Sequence, residues 1–341
     1  MPSPLAGAGL PVIAAPMAGG PGRPALVIAA AQAGSLGFLA AGYKTPQAFA
    51  EEISTVAAAG VPFGVNLFAP NPVPVDLAAF RRYADLIAAE ADRYGVALDA
   101  ATPIEDDDRW HDKLDVLRAH PVPIVSFTFG LPGRSDLALL RSTGALLMQT
   151  VTSAAEAKAA AEAGVDALAV QAPVAGGHSG TFTPTRALAE IGLPELVASV
   201  RSAVSLPVIA TGGLATADAV AAAIGAGAVA VAVGTVLLRS DEAGTSATHR
   251  AALADPARTG TVLTHAFTGR PARGLRNEFT DRYSELAPYG YPALHYLTSG
   301  IRKPAAAAGD PERVHLWAGT GFRQATEEPA AAILTRLAAK L

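Results

Sequence analysis

The sequence predicts an α/β protein built on a closed barrel of eight parallel strands with helices outside, a (β/α)8 barrel, followed by a C-terminal extension packed on the barrel mouth. Three observations point there. Short apolar runs centred on Val12, Phe38, Val65, Val125, Leu147, Ala169, Ile209 and Val231 recur, each followed by a helical stretch. Strands separated by helices pair in parallel through right-handed crossovers, and eight such units close naturally into a barrel. The alternative, an open doubly wound sheet, usually carries GxGxxG after its first strand. Here that position reads APMAGGPG.

Taken in order, Pro11–Met17 reads as the first strand, Pro24–Gly34 as a helix and Leu36–Gly42 as the second strand. Thr45 caps a helix running to about Ala59, with Pro46 at its first position and Gly60 as its stop. Phe63–Ala69 is the third strand and Val75–Tyr94 a long helix. Residues 95–110 read as an insertion, with a short strand over Val96–Ala100 and the IEDDDR run as an exposed face. Trp110–Ala119 is helical. Then Ile124–Phe129, Leu146–Val151, Ala167–Gln171, Pro207–Thr211 and Val229–Val233 complete the strands. Helices intervene at Ser135–Thr143, from Ser153 to Gly164, at Leu193–Val204 and from Thr216 to about Gly227, with a last one over Glu242–Leu253. Residues 1–254 thus form the barrel. Residues 255–341 leave the repeat, carry several aromatics that need burial, and end in a short helix from about Pro329.

Composition narrows the function. The chain has 341 residues, is 50% hydrophobic, carries a formal net charge of -4 and contains no cysteine. There is no basic footprint for nucleic acid, and disulfides, Cys–zinc sites and Cys nucleophiles are excluded. The opening MPSPLAGAGL lacks the pattern of a signal peptide, so the cytoplasm is the expected compartment. Ala219–Leu238 is apolar over nearly the length of a membrane span. Its glycines and its VAVAVGTV run instead suggest a buried helix, a turn and a buried strand.

The most telling segment is Gln171–Phe182, QAPVAGGHSGTF, the loop after the sixth strand. Gly176 and Gly177 let the backbone approach a flat or anionic ligand, and His178 follows them directly. TGGL (Thr211–Leu214) and the pair Gly234–Thr235 follow strands seven and eight, a frequent phosphate site in this fold. A phosphate held there by Gly212, Gly213, Gly234 and Thr235, with Asn66 and Gln171 as amides able to read a flavin's polar edge, describes a mononucleotide cofactor. The remaining histidines, His111, His120, His249, His265, His295 and His315, show no metal-ligand spacing and read as structural or surface groups. His295 stands apart because it lies among Tyr289, Tyr291 and Tyr296 in a segment placed to cover the mouth. Thr128, Tyr291, His295 and Lys303 complete the candidate substrate pocket, Lys303 as an anion anchor.

These motifs resemble the nitronate monooxygenases, flavin enzymes formerly called 2-nitropropane dioxygenases, and in particular their class I. The resemblance covers nearly the whole chain: PVIAAPMAGGP, GSLGFLAAGYKT, FGVNLFAP, SFTFGLP, AGGHSG, VIATGGLATADAVAAAIGAGAVAVAVGT, FTGRPARGLRNEF, YPALHYLTSGIRK and HLWAGTG. It implies one non-covalent FMN. Pro16, Met17 and Ala18 would line the flavin, and Asn66 and Gln171 would contact its polar edge. Gly176 and Gly177 would approach it through backbone, and Gly212, Gly213, Gly234 and Thr235 would hold its phosphate. His178 matches the family's active-site histidine, proposed as base or nitro-group partner. The implied reaction oxidises a small-molecule nitronate with O2 to a carbonyl compound and nitrite. The sequence departs from the family at four places: Ala172 replaces a glycine, Val174 a glutamate, Ala232 lies near a frequent glutamine, and Thr128 stands where many class I members have histidine. The alternatives are an NAD(P)H-dependent FMN reductase acting on a quinone or enoyl thioester, and a flavin-binding protein with little turnover.

Overall fold

The computed structural model describes residues 8–341. Its strands are β1 Val12–Ala14, β2 Gly37–Ala40, β3 Phe63–Ala69, β4 Ile124–Phe129, β5 Leu146–Val151, β6 Ala167–Gln171, β7 Gly177–His178, β8 Val208–Thr211, β9 Ala230–Val233, β10 Thr261–Thr264 and β11 Ala272–Leu275. Its helices are α1 Pro24–Gln32, α2 Pro46–Ala58, α3 Leu77–Asp92, α4 Trp110–Ala119, α5 Arg134–Ser142, α6 Ala154–Ala163, α7 Leu193–Ala203, α8 Ala217–Gly225, α9 Ala247–Ala254, α10 Glu278–Tyr283, α11 Ala293–Ala307 and α12 Ala330–Leu337.

Strands β1 to β6, β8 and β9 close into a parallel barrel, sealed where β1 pairs with β9 at Val12↔Val231 and Ala14↔Val233. The strands are mostly apolar on both faces, as a sheet covered on both sides requires, with polar side chains such as Asn66, Ser126 and Thr150 buried among them. Along β9, Ala230 and Ala232 join Ile13, Phe38, Met148 and Ile209 inside the barrel, while Val231 and Val233 pack outward under the helices. The side chains of Thr45, Ser153 and Thr216 accept from Ala48, Glu156 and Ala219 N–H at the starts of α2, α6 and α8, as N-caps do. The apolar stretch 219–238 folds as α8, a turn and β9, and no described helix is long and apolar enough to cross a membrane.

Three sequence expectations are corrected. The long helix α3 is not the barrel's third outer helix. It packs with α11 in a second core (Phe80, Tyr83, Ile87, Phe267, Leu294, Ile301), while α4 takes the barrel position through Trp110, Leu114 and Leu117. The insertion therefore begins before α3, and Val96–Ala100 is irregular rather than a strand. Nor is α9 the eighth outer helix. α12 packs on α1, α8 and β1 through Ile333, Leu334 and Leu337, so the barrel's helical shell draws on the chain's far end beyond residue 254. Finally, the extension carries elements not expected from sequence: α10, α11, and the hairpin β10–β11, which takes in β7 as a third antiparallel strand. Glu90 on α3 joins these layers. It is 2% exposed and meets Arg313 at 2.9 Å and Arg282 at 2.7 Å, so an extension of this length is tied to the insertion by a buried carboxylate.

Candidate active site

A cavity of about 780 Å³ opens at the C-terminal ends of the barrel strands. Of the residues assigned from sequence to catalysis, the cofactor or the substrate pocket, all but Tyr291 line it. Tyr291 stands behind it, with its ring against Phe129 and His178, and lines a neighbouring cavity of about 500 Å³.

One end of the cavity is made of backbone. Gly212 and Gly213 follow β8 at φ 106° and 73°, conformations that favour glycine. Gly234 follows β9 and precedes a 3-10 turn over Thr235–Leu237. Among the described residues, the N–H groups of Gly212, Gly213 and Gly234 donate to no protein acceptor. Unpaired amides on loops at a barrel mouth are the groups from which anion sites in this fold are built. The Thr235 hydroxyl accepts from Gly319 N–H at 2.9 Å, so the extension reaches this end too.

The histidine loop stands directly beside this backbone: a Cβ on Gly212 would come within 3.1 Å of Ala175, and one on Gly213 within 3.0 Å of Val174. Gln171 holds the loop with both ends of its amide: Oε1 accepts from Gly180 N–H at 2.7 Å and Nε2 donates to the His178 carbonyl at 3.1 Å. Both ends of the amide expected to read a flavin edge are thus engaged in holding the loop. Gly176 lacks room for a side chain because the extension lies against it; a Cβ would meet Gly319 N at 2.4 Å. Its bareness thus serves packing on the 317–319 segment as well as any ligand. β7 places His178 opposite Ala272, and Ser179 N–H donates to the Pro271 carbonyl at 2.8 Å.

His178 Nε2 lies 2.9 Å from Thr268 Oγ1. The same hydroxyl lies 3.2 Å from the Arg270 carbonyl, so Thr268 links the imidazole to the backbone of the extension. Burial, reinforced by the positive charges of Arg270 and Arg302, pushes the imidazole down to about 3. His178 is neutral at physiological pH and a weak base.

The barrel floor is polar. Asn66, 4% exposed, donates to Ser126 Oγ at 2.9 Å and Thr128 Oγ1 at 3.1 Å, and Thr128 lies 3.3 Å from Thr150 Oγ1. The roof comes from α11 and the segment after it. His295 stacks on Tyr43 at 4.1 Å, Trp317 packs on His178 at 5.5 Å and on His315 at 5.2 Å, and Lys303 stands exposed at the rim.

Some of these residues were not foreseen. His249 and His315, read as structural or surface groups, line the cavity, whereas His111 and His120 are exposed. Asp108, read as part of an exposed acidic face, is half-buried, pairs with Lys113 Nζ at 2.7 Å and accepts from Tyr43 N–H at 2.9 Å. Arg302 was missed. Its signal was a cation on the same helical face as Thr298 and Ala305, four residues before it and three after, both buried.

Fold and site together define a (β/α)8 enzyme whose barrel mouth gathers unpaired glycine amides and a half-buried histidine into one cavity. The chain belongs to the nitronate monooxygenase family: the family model described as "Nitronate monooxygenase" matches residues 6–339. It is 36% identical over 334 residues to a probable nitronate monooxygenase of Staphylococcus aureus, covering 96% of this chain and 93% of that one. Among solved structures it is similar to nitroalkane oxidase from Streptomyces ansochromogenes, at 45% identity and a TM-score of 0.91 over 98% of this chain and 96% of that one. It is also similar to FabK from Thermotoga maritima, at 26% identity and 0.75 over 97% and 92%. The family is one of flavin-dependent oxidoreductases.

Proposed function

We propose that the protein is an FMN-dependent monooxygenase that oxidises alkyl nitronates with O2 to carbonyl compounds and nitrite. The observation that carries this reading is the pairing, in one cavity, of three unpaired glycine amides with a neutral, half-buried His178. The amides of Gly212, Gly213 and Gly234, with Thr235, would hold the FMN phosphate, and Pro16, Met17 and Ala18 would line the ring. A single phosphate cradle, with no second nucleotide fingerprint, suits FMN rather than FAD. Bound there, FMN supplies the electron acceptor.

The chain's own residues do the rest. A nitronate has already lost its proton, so the site needs no strong base, and a histidine pushed down to about 3 is suited to hydrogen-bonding the nitro group rather than to proton abstraction. Gln171 fixes the loop that carries it. Trp317 and Phe129 pack against the imidazole and hold its orientation. Arg302 and Lys303 give the mouth a positive potential that favours an anionic substrate. Residues 255–341 would contribute the roof of the substrate pocket through α11 and Trp317.

The test has two arms. Purified protein should carry stoichiometric FMN by its visible spectrum, and should take up oxygen and release nitrite with alkyl nitronates or propionate 3-nitronate. Rapid anaerobic bleaching of the flavin by NADH or NADPH, without oxygen uptake on nitronates, would support the reductase reading. A protein that cannot be reconstituted with FMN would overturn the cofactor assignment.

A further inference from the structure

Arg302 is a buried cation with no anion. It sits on α11 at 6% exposure and lines the cavity. Nε donates to Thr298 Oγ1 at 3.0 Å, Nη2 to the His295 carbonyl at 2.7 Å, and Nη1 lies 3.2 Å from His315 Nδ1. The ring Nδ1 of His295 is 3.3 Å from Nη2. All of these partners are neutral. Among the described residues no carboxylate lies in ion-pair range of Arg302, in contrast with Arg313, which meets Glu90, Glu278 and Asp310. The nearest acidic lining is occupied elsewhere: Asp108 with Lys113, and Asp106 with the Tyr296 hydroxyl at 2.5 Å.

A guanidinium only donates. The nitrogen of His295 that faces it must be a lone pair, so the proton of that neutral ring is on Nε2. Nη1 has two N–H groups and one protein neighbour, which leaves one donor free. The cluster therefore combines a fixed positive charge, a free guanidinium N–H and an imidazole N–H. Burying a guanidinium among neutral acceptors forfeits its hydration without supplying a counter-charge. A tie between α11 and the 315 segment alone could be made by a neutral amide. The arginine is explained when an anion completes the site.

The geometry also limits the anion. The FMN phosphate is assigned above to the glycine amides. The guanidinium fork matches a planar O–X–O group such as carboxylate, a nitro end or nitrite. Trp317 packs against both His178 and His315, so Arg302 and the histidine loop share one cavity with the indole against both histidines, and exposed Lys303 follows Arg302 in sequence.

We propose that Arg302, flanked by His295 and His315, is a binding site for a compact planar oxyanion, and that during turnover it receives the nitrite released at the flavin on its way out past Lys303. The identity of that occupant rests on the proposed nitronate reaction; the anion site does not. Thermal denaturation of the FMN-loaded protein in sodium nitrite, against sodium chloride at equal ionic strength, tests the site without any turnover. Nitrite should raise the midpoint more than chloride does. Arg302→Met should weaken the apparent nitrite affinity about 10- to 100-fold, the range for a lost hydrogen bond to a charged group, and Arg302→Lys should weaken it less. If Arg302→Met does not fold, the wild-type titration still decides. Nitrite no more effective than chloride up to about 100 mM overturns the site, because a Kd well below that must show as stabilisation. Steady-state inhibition then identifies the source of the anion. Nitrite that inhibits without competing with nitronate supports a separate product site. Strict competition overturns that assignment and gives Arg302 to the substrate's own nitro end. If no nitronate is oxidised at all while nitrite binding still depends on Arg302, the proposed activity falls and the anion site stands.

Discussion

The guanidinium carbon of Arg270 lies 4.1 Å from the centre of the Phe129 ring, and Phe129 holds a backbone φ of 85°. Phe129 is the last residue of β4; Arg270 comes from the extension. A bulky residue in the left-handed region costs on the order of 1–3 kcal/mol and persists only where its surroundings over-determine it. Here they do: Phe68 at 4.6 Å, Tyr291 at 5.3 Å and His178 at 5.6 Å pack on the same ring. Arg270 is wholly buried and donates to the carbonyls of Asn71 at 3.3 Å and of Thr181. One cation thus joins the β3–α3 segment, the histidine loop and the end of β4.

Arg270→Met should therefore destabilise the protein. It strands the Asn71 and Thr181 carbonyls, at about 1–3 kcal/mol for each buried group left unpaired. It also removes one of the charges that hold His178 down, so the imidazole pKa should rise from about 3. Thermal denaturation and NMR titration of the imidazole signals measure the two effects. An unchanged midpoint would contradict the role assigned to Arg270.

His178→Asn tests how the histidine acts. As a hydrogen-bond partner of the nitro group it should lower kcat/KM on preformed nitronate about 10- to 100-fold, by loss of a bond to a charged group, at unchanged FMN occupancy. The comparison is with the neutral form of the same nitroalkane. A loss of about 10² to 10⁴ confined to the neutral form would restore a general-base role.

Gly213→Asp should release the cofactor. Gly213 sits at φ 73°, and a Cβ there would come within 3.0 Å of the Val174 side chain. A carboxylate about 4 Å from a phosphate is repelled by roughly 4 kcal/mol at an effective dielectric of 20, enough to weaken FMN a hundredfold even after partial screening. Fluorescence titration of the apoprotein with FMN gives the answer, and an unaltered Kd would mean that the phosphate binds elsewhere.

Stability should fall on acidification from near pH 6.5. Burial lowers His249 to about 4 and His178 to about 3, and also lowers His265, His295 and His315. Below the unfolded imidazole value of about 6.5, the unfolded chain takes up protons that the folded chain refuses. The contribution is complete above that pH and is lost progressively toward pH 4 and below. Melting temperatures across pH 5–8 on the flavin-free protein test this; a midpoint at about pH 5 equal to that at pH 8 would sink it.

The strand–helix repeat was legible because each barrel strand is buried on both faces and so reads as a continuous apolar run, bounded by caps such as Thr45, Ser153 and Thr216 whose chemistry is local. The glycine turns after β8 and β9 were legible for a similar reason: a backbone cradle with positive φ demands glycine at fixed places, as at Gly212 and Gly213. These features are set within a few residues of themselves, and sequence alone determines them.

What depends on contacts across hundreds of residues was not legible. Sequence order made α3 the natural third helix and α9 the natural eighth, but helices are assigned by the surfaces they bury, and α4 and α12 fit the barrel better. The two-residue strand at His178 exists only because β11 arrives beside it from the extension. The depressed basicity of His178 follows from burial and from arginines some 90 and more positions away, Arg270 and Arg302, and no local pattern encodes a field. Sequence fixes which residues have the chemistry to act. The tertiary structure decides which of them are buried, which charges face one another, and hence which protonation state each carries, because solvation and Coulomb energy depend on distance in space rather than along the chain.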